Sequence, residues 1–103
     1  MPPEFNKRDT GEWVEGRGLI IRLLSDDDDS HQRFILELRN GQTLLITHNL
    51  DISGRLPVGI GDRIRFRGVY EWNDEGGLLH WTHRDQHAHE KGGYLDYRGK
   101  IYD

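Results

Sequence analysis

The chain has no cysteine among its 103 residues. Disulfide staples, thiolate zinc sites and cysteine nucleophiles are therefore excluded, and any metal would have to rest on His, Asp, Asn or Glu. Long apolar runs are also missing: the longest are only a few residues, such as Leu19-Ile20-Ile21 and Leu44-Leu45-Ile46, far short of the roughly 20 residues a bilayer span requires. No secretory hydrophobic segment is read either, and the chain reads as soluble. There is one alanine against eight isoleucines, and no stretch sustains apolar residues at i, i+3, i+4 and i+7. An amphipathic helix cannot be the organising element, so strands must supply the core. The only serines are Ser25, Ser30 and Ser53, none in a G-x-S-x-G elbow. Gly59-x-Gly61 and Gly76-Gly77 precede no helix and make no phosphate loop.

What is present is a succession of strand signals. Residues 1–10, with two of the three prolines, read as an irregular N-terminal leader, and residues 11–103 as a single domain. Glu12 to Leu24 reads as a long strand in which Gly16 and Gly18 mark a bulge or sharp bend. The self-repelling run Asp26 to Asp29 makes a turn; it lacks the spacing of a calcium loop. A second strand, His31 to Arg39, sets Phe34, Leu36 and Leu38 against His31, Arg33, Glu37 and Arg39. Asn40-Gly41 predicts a two-residue type I′ hairpin into a third strand, Thr43 to Asn49. An irregular or one-turn helical connector follows. Asp62 to Trp72 then alternates Ile64, Phe66, Tyr70 and Trp72 with Arg63, Arg65, Arg67 and Glu71, the period-2 mark of a strand with one buried face. Leu78 to His83 is the fifth strand, with Leu79 and Trp81 on one side and His80 and Thr82 on the other. A terminal hairpin turns at Arg98-Gly99.

Five strands in this order predict an all-β fold, a small OB-like barrel, with the stretch LPVGIGDRIRFRG as its sharpest feature. The segments HQRFI at 31–35, HNLDI at 48–52, YEWN at 70–73, Gly76-Gly77 and HWTH at 80–83 resemble the signature of a bacterial family, domain of unknown function 3465. The resemblance spans about residues 16–102. It implies no assigned activity, although members are often exported. The chain departs from that pattern at Gly54, where a proline precedes Arg55, at Arg84, where a second histidine follows His83, and at Gln86, where proline follows Asp85.

Two constellations carry candidate chemistry. In a five-stranded barrel of this plan the third and fifth strands lie parallel, which would bring His48, Asn49 and Asp51 toward His80, His83 and Asp85, with His87 and His89 close by in sequence. Imidazoles and carboxylates converging this way suit a divalent metal, zinc above all, or a small anionic ligand. With an open coordination position, the same residues describe a metal-dependent phosphodiester hydrolase: His48, His80 and His83 as ligands, Asp51 or Asp85 as ligand or base, and Arg55 as a clamp on developing charge. These histidines also suit a purely structural polar network.

The second constellation is electrostatic. Residues 30–70 carry a balance of +3 within a chain of net charge −4. Arg63, Arg65 and Arg67 project from one face of the fourth strand, and Arg33 and Arg39 from the outer face of the second; with Tyr70, Trp72 or Trp81 near a groove rim, such a surface could track phosphates while a ring stacks on bases. The expected function is therefore a small binding module with a His/Asp-rich polar site, the alternatives being a nuclease-like hydrolase, a single-stranded nucleic-acid binder, or a module that takes a protein partner on an exposed strand edge.

Overall fold

The computed structural model describes residues 4–84 and 92–103. Seven strands follow a short 3-10 turn at Lys7–Asp9: β1 (Trp13–Leu24), β2 (His31–Glu37), β3 (Thr43–Asn49), β4 (Arg63–Glu71), β5 (Leu78–His80), β6 (Tyr94–Tyr97) and β7 (Lys100–Tyr102). The first five close into a ring, β1-β2-β3-β5-β4 and back to β1, with β3 and β5 parallel and the other ring pairs antiparallel. This is the strand order and the parallel pairing expected of the OB-like plan. β6 extends the sheet beside β4, and β7 pairs with β6.

Alternation explains the core. On β4 Ile64, Phe66 and Tyr70 point inward and are at most 2% exposed, and Leu36, Leu44, Ile46 and Leu79 meet them from the other strands. β1 closes the ring by changing partners: Trp13–Leu19 pairs with β4 and Leu19–Leu24 with β2. Gly16 and Gly18 occupy its inward positions. A Cβ at Gly16 would lie 2.7 Å from the Phe66 ring, and one at Gly18 would lie 2.9 Å from the Glu37 carbonyl oxygen. Removing those side chains lets the strand bend closely over Phe66. The register slip itself falls between Ile20 and Arg22, beyond the glycines that the sequence pattern marks for it.

One local turn differs from expectation, while the terminal hairpin and an irregular connector are as expected. The β2–β3 hairpin is present, but only Gly41 of the Asn40-Gly41 pair has positive φ, at 90°. The Leu38 N–H donates to the Gln42 carbonyl and the Gly41 N–H to the Leu38 carbonyl. This is a three-residue loop ending in a left-handed glycine, not a type I′ turn. The terminal hairpin does take the two-residue form, with φ of 53° at Arg98 and 84° at Gly99. The β3–β4 connector holds no helix and is fastened by its neighbours. The Gln32 side chain clasps the Leu56 N–H and carbonyl at 2.9 Å each, and the Asp62 carboxylate accepts the Gly59 N–H and the Tyr97 hydroxyl.

β5 is shorter than its apolar pattern suggests. It ends at His80, and Trp81 adopts φ 57°, a left-handed conformation unusual for a bulky residue. The alternation is thereby reset. Trp81, expected on the same side as Leu79, is 43% exposed while Leu79 is buried, and Thr82, expected opposite Leu79, is buried together with His83.

The segment before β1 also enters the core. Phe5 is 8% exposed and packs 5.3 Å from the Tyr70 ring and 6.4 Å from the Phe66 ring, centroid to centroid. The Gln42 amide clasps its backbone from both sides, accepting the Phe5 N–H and donating to its carbonyl. Asn6 and Asp9 form a reciprocal capping box around the 3-10 turn.

Candidate functional site

His48 sits on the inward face near the end of β3, fully buried. Its Nδ1 lies 2.7 Å from the Thr82 hydroxyl. Its Nε2 has no hydrogen-bond partner among the described residues, and neither does the buried Ser53 hydroxyl in the connector. Burial pushes the imidazole pKa down from 6.5 to about 4, opposed by the Gly54 backbone and reinforced by the nearby His83 and His31 imidazoles. His83 donates to or accepts nothing from His48 directly; its Nδ1 lies 2.9 Å from the Arg84 carbonyl oxygen, and its ring stacks on Trp81 at 5.5 Å.

The other members of the predicted histidine constellation are elsewhere. His80 follows the inward-facing Leu79 and so points outward, on the opposite face of the sheet from His48. Its Nε2 is 3.5 Å from the Glu71 carboxylate, an ion-pair contact without hydrogen-bond alignment. Asp51 is exposed in the connector. Arg55 is exposed and ion-paired with Asp26. Asp85, His87 and His89 lie outside the described residues. Among the described residues no group of three or more His, Asp or Glu side chains could hold a metal ion.

The charged face is more coherent. Outward positions of β4 carry Arg63, Arg65 and Arg67, in register with Leu19, Arg17 and Glu15 of β1. Two open grooves of about 590 and 570 Å³ run along this face and share Arg17 and Arg39; Arg65 lines the first and Arg63 the second. The floor of the first is the side-chain-free backbone at Gly16, above Phe66. Among the described residues the side chains of Arg17, Arg39, Arg63 and Arg65 make no hydrogen bond or ion pair. Three carboxylates, Glu4, Glu15 and Glu37, line the same grooves, but Glu15 faces Arg67 at 3.7 Å. Asp96 stands in register with Arg65 and instead accepts the Gly99 N–H at 3.0 Å.

A family model for a protein of unknown function, DUF3465, matches residues 3–103. The chain belongs to that family. No curated protein and no solved structure matches it. The DUF3465 match runs from the segment before β1 through to the terminal hairpin, so the Phe5 anchor, the barrel and the arginine face all fall within the family's extent.

Of the arginines on this face, the sequence pattern singles out Arg63, Arg65 and Arg67 by their alternation. It adds Arg39 from the outer face of the second strand but not Arg17, whose place beside Arg65 depends on β1 leaving β2 to pair with β4. The available signal is Gly16-Arg17-Gly18 itself: glycines at both inward positions imply that the residue between them points out.

Proposed function

We propose that this barrel is an OB-like binding module for a polyanion, which lies along the β1–β4 face. The observation that supports it is the convergence of four guanidinium groups from three segments, Arg17, Arg39, Arg63 and Arg65, on two adjoining grooves, without partners among the described residues. Guanidinium groups meet phosphate oxygens through forked, charge-assisted hydrogen bonds. Placing several along one strand suits a ligand with repeated charges better than a single small anion. From Arg63 to Arg67 the strand advances about 13 Å. The net charge of −4 weakens attraction at long range, so binding depends on contacts within about a Debye length. The histidine-centred reading draws less from the geometry, since His48 and His80 occupy opposite faces of the sheet.

The test is a titration with inorganic polyphosphate and with a single-stranded oligonucleotide over a range of salt concentrations. Binding should weaken with salt, and the double substitution R17A/R65A should lower the slope of log affinity against log salt by about 2, roughly one per phosphate contact removed. An unchanged slope, or no binding of either probe at low salt, would refute the proposal.

A further inference from the structure

The corner at Trp81 is built with care. A left-handed backbone is costly for a bulky side chain, and the surroundings are shaped to admit it here. A Cβ at Gly68 would lie 2.7 Å from the His80 carbonyl oxygen, and one at Gly93 would lie 2.0 Å from the Trp81 carbonyl oxygen. Two glycines, from β4 and from the stretch before β6, thus admit the Trp81 backbone between them. The corner sends Thr82 and His83 inward and the Trp81 indole outward, where it remains 43% exposed.

That indole is not loose. The His83 ring stacks on it at 5.5 Å with an interplanar angle of 22°. The Trp13 ring meets it edge-on at 6.3 Å. Trp13 in turn lies under the Arg67 guanidinium at 4.7 Å, and Arg67 follows Arg63 and Arg65 along β4. The aromatic cluster therefore continues the arginine face at its far end. An exposed indole held rigid from behind and joined to a row of cations presents both elements of a single-strand binding surface: a charged track for the backbone and a flat apolar face for a base.

We infer that Trp81, braced by His83 and Trp13, stacks on an unpaired base, so that the polyanion taken by the arginine face is a single-stranded nucleic acid. This inference rests on the reading of the β1–β4 face as a polyanion surface. The base would meet the exposed indole face while successive phosphates pass Arg65 and Arg63.

The experiment compares three probes on the intact chain: a short oligothymidylate, an abasic phosphodiester strand of the same length, and inorganic polyphosphate. Wild type should bind oligothymidylate about tenfold more tightly than the abasic strand, with quenching of tryptophan fluorescence. The substitution W81G should abolish that preference while leaving polyphosphate affinity unchanged. Glycine accepts the left-handed backbone without strain, so a folded variant is expected, and a thermal melt checks it. W81F, which keeps a smaller ring, should retain part of the preference. If oligothymidylate and the abasic strand bind equally to wild type, or if W81G keeps the preference, base stacking at Trp81 is wrong while the polyanion surface stands. If none of the three probes binds, the polyanion reading fails and this inference fails with it.

Discussion

Acidification should destabilise this barrel through one residue, His48, beginning above the range in which carboxylates titrate. In the folded chain burial holds the His48 pKa near 4, against 6.5 when exposed. The unfolded chain therefore takes up the proton first as pH falls. The stability tied to neutral His48 is complete above pH 6.5 and is lost progressively as pH drops toward about 4. The displacement corresponds to roughly 3 kcal/mol in full, of which about 2 kcal/mol is lost between about pH 7 and about pH 4.5. The carboxylates of Asp27 and Asp62 have pKa values held below the ordinary 3.8, so their own loss of stability comes lower on the pH scale. Urea denaturation across that window should show the wild-type free energy falling. The substitution H48Q keeps a donor and acceptor for the Thr82 hydroxyl but removes the titration, and its profile should be flatter by about 2 kcal/mol. Parallel profiles for the two proteins would refute the assignment of acid sensitivity to His48.

Four further substitutions test the packing and one surface ion pair. F5A removes a ring that touches Phe66 and Tyr70 and should cost about 3 kcal/mol in urea denaturation; a cost near zero would show that the segment before β1 is not part of the core. G68A places a methyl group 2.7 Å from the His80 carbonyl oxygen and 2.9 Å from Leu79, and should cost about 2 kcal/mol or more. G54A meets nothing within 4 Å at a residue without positive φ and should be neutral or stabilise by about 0.5 kcal/mol, so equal effects of the two would contradict the packing described. R55A breaks a solvent-exposed pair with Asp26 and should leave the thermal midpoint unchanged within error, since exposed ion pairs contribute little; a large drop would mean that this pair anchors the connector.

The barrel was legible where burial on one face dictates alternation. β4 announces itself because every second residue from Ile64 to Tyr70 is apolar or glycine and the intervening Arg63, Arg65 and Arg67 cannot be buried unpaired. The same logic failed at β5. Leu79 and Trp81 satisfy period-2 alternation as well as Phe34 and Leu36 do, and nothing local to HWTH shows that the strand stops at His80. The decision is made by Gly68 and Gly93, distant in sequence, which admit the turned backbone. Phe5 was obscured in another way: an isolated aromatic among prolines and charges has no periodicity to read, and its burial depends on the opening between Phe66, Tyr70 and Gln42 at the end of the barrel.

Histidine spacing did not show which side chains would meet, because the parallel β3–β5 pairing that brings two histidine-bearing strands together also fixes which face each residue occupies. His48 points inward with Ile46, while His80 points outward after Leu79. What the topology does unite is a set of residues that no short motif contains. Arg39 follows β2, Arg17 lies between the glycines of β1, Arg63 and Arg65 lie on β4, and Trp81 is turned out by the corner after β5. A surface assembled from four segments has no contiguous sequence signature, and its arginines read singly as ordinary solvated charges. The glycines are the legible part: Gly16 and Gly18 let β1 cross over Phe66 with Arg17 outward, and Gly68 and Gly93 let the chain turn Trp81 outward. The residues with no side chain thus decide which side chains share the β1–β4 face, and substitution at those glycines should disturb binding there even where no ligand contact is removed.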